Sequence, residues 1–119
     1  MSETNTDTTH AQAADGALRE QIEAVLRTVY DPEIPVNIVD LGLVYSLAID
    51  PRDEGGCDVT VHMTLTAPGC GMGPILASEA RQKILTIDGV RDANVELVWD
   101  PPWIPDRISE EGKQKLGMV

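Results

Sequence analysis

The sequence contains no phenylalanine and only two tryptophans and two tyrosines, so aliphatic side chains and methionines must fill its core. Hydrophobic residues nevertheless make up 42% of the chain, a content typical of a globular protein and not of a disordered one. With 119 residues, the chain is long enough for one compact domain and too short for two ordinary domains.

Long apolar runs and basic residues are also scarce. Every apolar stretch is interrupted by charges well before the roughly 18 to 20 residues that span a bilayer, and the N-terminus lacks the basic and apolar regions of a signal peptide. Nine Lys and Arg stand against 20 Asp and Glu, for a formal net charge of -11. Because phosphate backbones and anionic lipids are bound largely through Lys and Arg, we expect no nucleic-acid or membrane partner. The short apolar runs and the N-terminus without signal-peptide features predict a cytoplasmic protein.

Only two cysteines are present, and both are expected to be reduced thiols. Cys57 opens a predicted strand that runs to about Thr66, and Cys70 follows the far end of that strand, which separates the two by more than about 20 Å. A disulfide requires Cα atoms within about 7 Å, so no disulfide within the chain is expected. Cys57 is interpreted as a simple strand residue.

The N-terminal half is predicted to contain a tail, a helix and an acidic loop. Residues 1–14 show no periodic apolar pattern and predict a disordered tail, followed by a single domain at residues 15–119. From Asp15 onward apolar residues recur at helical spacing, and the predicted helix ends near Tyr30 because two prolines follow. The loop that follows carries three acidic residues, Asp31, Glu33 and Asp40.

The rest of the chain predicts three strands, a helix between the last two, and a short final helix. The first two strands, at about 43–49 and 57–66, form an antiparallel hairpin. A helix that begins near Pro74 and a strand at about 90–99 complete a crossover unit, which makes the second and third strands parallel. We therefore expect an α+β fold, a small single domain with a mixed three-stranded sheet in the order α-β-β-α-β, plus a short C-terminal helix capped by Ser109.

Cys70 is the residue with the most specific chemistry. It lies between the second strand and the second helix, where crossover units present ligands, and the glycines around it permit close backbone approach. The helix N-terminus stabilises an anion by only about 0.3 to 1 kcal/mol, and no basic residue is close in sequence. Binding of a soft metal or a cluster is therefore favoured over a strongly activated nucleophile, and the alternative is a small apolar residue that fills a turn.

Several other side chains leave two interpretations open. Asp31 and Asp40 are either functional or simple turn residues, and Arg107 is a candidate to pair with one of the acids. His62 is interpreted as a structural residue on the polar face of its strand. Trp99 is expected to pack on the sheet, whereas Trp103 either packs or docks a partner.

Three segments together resemble a known family. They are DPEIPVNIVDLGLVY at 31–45, MTLTAPGCGMGP at 63–74 and WDPPWIPDRISEEGKQKLGM at 99–118. In this order they resemble the SufT branch of the family that contains PaaD-like proteins and eukaryotic cytosolic iron-sulfur targeting proteins. The resemblance covers nearly everything after the first 15 or so residues. Two features depart from relatives. Ala67 stands where some relatives carry a second threonine directly before the proline. The cysteine-rich C-terminal extension of PaaD proper is missing, which favours the SufT branch over the phenylacetate-degradation branch.

The resemblance implies a role in the maturation of iron-sulfur proteins. Asp31, Glu33, Thr66 and Cys70 match the D-P-E and T-x-P-x-C positions of the family, which implies that they share one pocket. A non-enzymatic accessory factor is expected, with a transient iron-sulfur cluster or iron bound through Cys70, and with assembly machinery and client apoproteins as partners. Since one cysteine cannot complete a cluster that takes four thiolates, carboxylates, a client protein or the Cys70 of a second protomer in a homodimer must contribute.

Two other functions are left open by the residues. One is a thiol enzyme or redox protein with Cys70 as its reactive group. The other is a pure protein-binding adaptor, in which Trp103 and the acidic loop engage a partner and Cys70 is incidental.

Overall fold

The computed structural model describes residues 16–66 and 71–118. The tail predicted at residues 1–14 lies outside this part of the chain, and so does Cys70. The division into tail and domain therefore stays a prediction.

The first helix, α1, occupies residues 16–26 and buries Ile22 and Leu26 completely. It ends four residues before the predicted end at Tyr30. The apolar pattern continues past the helix because Val29 is also fully buried, but the Val29 carbonyl accepts the backbone N–H of Ile38 at 2.9 Å instead of a helical partner. Burial thus extends beyond the helix, and periodicity alone overestimated its length.

Three strands form one mixed sheet in the order β1-β2-β3. Strand β1 spans Val44–Pro51, β2 spans Cys57–Met63 and β3 spans Val90–Leu97. Strands β1 and β2 pair antiparallel, whereas β2 and β3 pair parallel. The structure therefore confirms both the predicted hairpin and the predicted crossover.

The remaining predicted elements are the helix between β2 and β3 and the short C-terminal helix, and both are present. Helix α2 spans Gly73–Ile84 with a proline in its first turn, where the missing N–H removes no helical hydrogen bond. After β3 the chain forms a short 3-10 turn at Pro105–Arg107 and then helix α3 at Glu110–Lys115. Ser109 caps α3, because its hydroxyl accepts the backbone N–H of Gly112 at 3.0 Å, as predicted.

The two faces of the sheet differ in polarity. Alternation along β2 places Val59, Val61 and Met63 in the core, together with Cys57, which is 5% exposed. On the opposite face, residues such as Ser46 are exposed. The helices and the loops therefore pack on one face of the sheet, as expected for an α+β domain.

Arginine side chains bind backbone carbonyls on both edge strands of the sheet. Arg19 Nη1 donates to the carbonyl of Leu47 on β1 at 3.0 Å. On β3, Arg81 Nε donates to the carbonyl of Ala93 at 2.9 Å, while the N–H of Ala93 is bound by Asp92 Oδ1 at 2.9 Å. Arg19 belongs to α1 and Arg81 to α2, so the helices cover backbone carbonyls of both edge strands and thereby oppose the addition of further strands.

Among the described residues, no helix is long and apolar enough to cross a membrane.

Candidate functional site

The acidic loop and the segment that leads to Cys70 lie at the same end of the sheet. Three successive backbone hydrogen bonds connect them. The Val29 carbonyl accepts from Ile38 at 2.9 Å, the Ile38 carbonyl from Leu43 at 3.0 Å, and the Leu43 carbonyl from Thr64 at 2.8 Å. The loop between residues 31 and 42 therefore borders the end of β2, two residues before Thr66.

Asp31 forms a turn with one carboxylate oxygen, Oδ1, and its second oxygen, Oδ2, takes no part in that turn. Its Oδ1 accepts the backbone N–H groups of Glu33 at 2.8 Å and Ile34 at 2.9 Å, the geometry of an Asx turn. The residue is only 8% exposed. Within the described residues every fully buried side-chain oxygen has a hydrogen-bond partner, whereas the hydrogen bonds of the Asp31 carboxylate all go to Oδ1. Oδ2 is therefore not fully buried and reaches solvent. The turn interpretation is correct for Oδ1, and Oδ2 remains free to act as a ligand.

The other two predicted site residues of this region are also accessible. Glu33 is exposed and Thr66 is half-buried. No hydrogen bond or ion pair joins Asp31 or Glu33 to Thr66 within residues 16–66 and 71–118. The shared pocket with Cys70 therefore stays a prediction that the backbone placement supports.

Asp40, in contrast, has a structural role. Its Oδ2 accepts Asn37 Nδ2 at 2.9 Å and lies 3.7 Å from Lys115 Nζ, and its backbone carbonyl accepts the N–H of Ser109 at 2.7 Å. The residue is only 5% exposed. Asp40 therefore ties helix α3 to the acidic loop, which favours the structural interpretation of this acid.

Residues 98–118, which we call the C-terminal strap, lie against residues 40–45. Tyr45 Oη donates to the Pro101 carbonyl at 2.9 Å, and Trp103 Nε1 donates to the Leu41 carbonyl at 2.6 Å. The first and the third family segments are thus one structural unit. The sequence did not indicate this contact, because the two segments are more than 50 residues apart.

The prediction for Trp99 is wrong, and of the two roles left open for Trp103 the structure shows packing. Trp99 is 47% exposed instead of packing on the sheet, whereas Trp103 is partly buried against the core. Trp103 packs because its ring N–H reaches a carbonyl of the loop, while β3 ends at Leu97 and leaves Trp99 beyond the sheet.

Within residues 16–66 and 71–118, Arg107 forms no ion pair with an acid. Among the described ion pairs none includes it, and its guanidinium carbon lies 4.5 Å from the centre of the Tyr45 ring. This is a cation-π contact, which contributes about 0.5 to 1 kcal/mol at an exposed site. Its contribution is to hold the strap on β1.

His62 lies on the polar face of β2, as predicted. Its Nδ1 is 2.8 Å from Ser46 Oγ and its Nε2 is 2.8 Å from Glu96 Oε2, so that one polar row crosses all three strands. Across the part of the chain that the structure describes, no three His, Cys, Asp or Glu side chains are arranged to hold a metal ion. Since Cys70 lies outside that part, its role as a metal ligand is not addressed by this finding.

The start of α2 packs closely against the end of the sheet. A Cβ atom on Gly73 would lie 2.9 Å from Leu65 Cδ1 and 3.0 Å from Leu97 Cδ1, whereas a Cβ on Gly71 would meet no described residue within 4 Å. Gly73 thus sets the distance between α2 and the sheet, and with it one end of the loop that carries Cys70.

Gly73→Ala is expected to lower the free energy of unfolding by about 1 to 3 kcal/mol, because the new methyl group overpacks two leucine side chains. Chemical denaturation monitored by circular dichroism measures this change. The control is Gly71→Ala, which adds the same methyl group where no described residue lies within 4 Å and should change stability by less than about 0.5 kcal/mol. Equal stability of the two variants would contradict the close packing of α2.

Comparisons with known proteins point to one family. The profile of the family described as "Iron-sulfur cluster assembly protein" matches residues 19–97. A protein of Porphyromonas gingivalis named Fe-S protein maturation auxiliary factor is 44% identical over 100 residues, which cover 84% of this chain and 91% of that protein. The Fe-S protein maturation auxiliary factor SufT of Staphylococcus aureus is 44% identical over 90 residues, 76% of this chain and 98% of its own.

A solved structure agrees with the fold. The crystal structure of a domain of unknown function from Bacillus anthracis superposes with a TM-score of 0.74 at 32% identity, covering 87% of this chain and 95% of that one. The resemblance inferred from the three sequence segments is therefore confirmed, and so is the fold class.

Proposed function

Because this chain belongs to the family of iron-sulfur cluster assembly proteins, we propose that it acts as an auxiliary factor in the maturation of iron-sulfur proteins. The family profile carries this proposal, since it spans both candidate loops and the entire sheet. The high identity to maturation factors over nearly their full length supports an accessory role, not a catalytic one.

Cys70 is the proposed contact to the cargo, a transient iron-sulfur cluster or iron. Its thiolate is a ligand that soft metals and clusters prefer. The placement of the acidic loop beside the end of β2 supports the participation of Asp31, Glu33 and Thr66. Asp31 is the best supported of the three, because its Oδ2 reaches solvent while Oδ1 fixes the turn.

Delivery suits such a site better than storage. One thiolate and one or two carboxylates are too few to hold a cluster that takes four cysteine ligands. The remaining ligands must come from a second protein, either the assembly machinery that supplies the cargo or the client apoprotein that receives it. Incomplete ligation therefore makes release to a client favourable.

An adaptor without cargo is the second candidate function. The observation that favours it is the exposure of Trp99 and Ile104, which are 47% and 48% exposed on the strap. In that case the protein brings other assembly components to their clients, and Cys70 is incidental.

The test is the aconitase activity of iron-limited cells that lack the protein, complemented with wild type, Cys70→Ser or Cys57→Ala. Wild type and Cys57→Ala should restore activity, because Cys57 is a small buried core residue and alanine keeps that position apolar. Cys70→Ser should fail to restore it at equal protein abundance.

The remaining outcomes separate the alternatives. Full restoration by Cys70→Ser would favour the adaptor. If deletion leaves aconitase and other iron-sulfur enzymes unchanged under iron limitation, the maturation role is wrong.

A further inference from the structure

The C-terminal strap exposes a row of apolar side chains, which we call the strap ridge: Trp99, Pro101, Pro102, Ile104 and Pro105. Trp99 and Ile104 are two of five large hydrophobic side chains exposed among the described residues, and neither packs against the core. Five exposed apolar residues thus lie within a stretch of seven, and an exposed apolar patch on a soluble protein marks a site of interaction.

The ridge is held in a fixed conformation. The backbone N–H of Val98 donates to the Met63 carbonyl at 2.8 Å, which fixes the chain just before Trp99. The hydrogen bond from Tyr45 to Pro101 and that from Trp103 to Leu41 fix the next turns of the chain. A surface that is ordered before binding loses little conformational entropy on binding, so these exposed side chains are preorganised for a partner.

The ridge also begins beside the candidate site. Leu97 lies against Gly73 at the start of α2, and Trp99 follows two residues later. A partner seated on the ridge therefore lies next to the end of the sheet that leads into the Cys70 loop.

Charge indicates the kind of partner. Asp100 lies within the ridge between Trp99 and Pro101, and Asp106 directly follows Pro105; we call these two aspartates the acidic rim. The Arg107 guanidinium that follows them lies over the Tyr45 ring. The chain as a whole carries a net charge of -11. A second copy of this chain would bring the same acidic rim against itself, whereas a protein with a basic rim is electrostatically complementary.

We propose that the strap ridge is the docking surface for a client apoprotein that presents an apolar groove rimmed by lysine or arginine. Trp99 and Ile104 enter the groove, and Asp100 and Asp106 pair with its basic rim. Bound in this way, the client lies beside the start of α2, the helix that follows Cys70 in the sequence, and supplies the ligands that this chain lacks. The inference rests on the proposed role in maturation and adds the surface through which a client is engaged.

Isothermal titration of the full-length protein with purified apo-aconitase tests the proposal. The double variant Trp99→Ala/Ile104→Ala should weaken binding at least about tenfold, because buried aromatic anchors dominate the energy of protein interfaces. The matched control is Tyr30→Ala/Met118→Ala, which removes two large side chains of similar exposure elsewhere, 51% in each case, and should bind as wild type does.

A third variant tests the acidic rim. Asp100→Asn/Asp106→Asn should bind more weakly than wild type at low salt, and its binding should depend less on salt concentration than that of wild type. Circular dichroism of each variant confirms that the fold is retained.

Three results would overturn the proposal: no binding of apo-aconitase by wild type, equal binding by the ridge variant and wild type, or loss of a homodimer on mutating the ridge in sedimentation experiments. Failure of the maturation role is distinguishable, because it appears as unchanged aconitase activity in cells that lack the protein. A ridge variant that restores aconitase fully in cells where Cys70→Ser does not would refute the docking surface alone.

Discussion

Replacing Gly42 with alanine is expected to lower the free energy of unfolding by about 2 to 5 kcal/mol, as measured by urea denaturation. Gly42 has a φ of 76°, in the left-handed region that side chains disfavour. An added Cβ would also lie 2.7 Å from Arg107 Cβ and 2.9 Å from the Arg107 carbonyl carbon, so backbone would have to move. Since domains of this size are stable by about 5 to 15 kcal/mol, the strap should detach or the domain should unfold.

Gly117→Ala is the matched control for this experiment. Its φ of 74° is nearly the same, but an added Cβ meets nothing within 4 Å. It should therefore show only the backbone cost of about 1 to 2 kcal/mol. If both variants lose the same stability, the close packing of the strap on Gly42 is not what makes glycine necessary.

Trp103→Ala is expected to lower the free energy of unfolding by about 2 to 4 kcal/mol, somewhat less than for a fully buried tryptophan. The substitution removes a side chain that is packed against the core and leaves the Leu41 carbonyl without its donor. Trp103→Phe keeps most of the packing and should lose only the contribution of the hydrogen bond, about 0.5 to 1.5 kcal/mol. Thermal and chemical denaturation measure both changes.

Trp99→Ala removes the same side chain from an exposed position on the same strap. It should change the free energy of unfolding by less than about 0.5 kcal/mol, because Trp99 has no packing against the core to lose. A loss as large as that of Trp103→Ala would show that Trp99 is buried in solution, and the strap ridge would then not exist as an exposed surface.

The contacts of the C-terminal strap give a physical role to the third of the three family segments, residues 99–118. It anchors to the loop after α1 and to the start of β1 through Leu41, Gly42 and Tyr45. Those residues lie at the end of the sheet where the acidic loop meets the segment leading to Cys70. Loosening the strap is therefore expected to disturb the candidate site as well as the stability of the domain.

Local patterns determined most of the architecture. The alternation of Val59, Val61 and Met63 placed one face of β2 in the core, and the hairpin and the crossover followed from the spacing of apolar runs. The cap of α3 was predictable because a serine three residues before Gly112 satisfies a backbone N–H locally. These features depend on neighbours in sequence, so the sequence contains enough information to specify them.

Contacts between distant segments were decided only by the tertiary structure. The apolar pattern predicts that α1 ends near Tyr30, four residues too late, because the buried Val29 continues the pattern after the helix has ended. The roles of Asp40, Trp99 and Trp103 depend on how the C-terminal strap crosses the loop at residues 40–45. By itself the sequence determined the elements, the polarity of the sheet and the family, because each is encoded by short patterns. Which acid is structural and which tryptophan is exposed depends on packing between segments that are far apart in sequence.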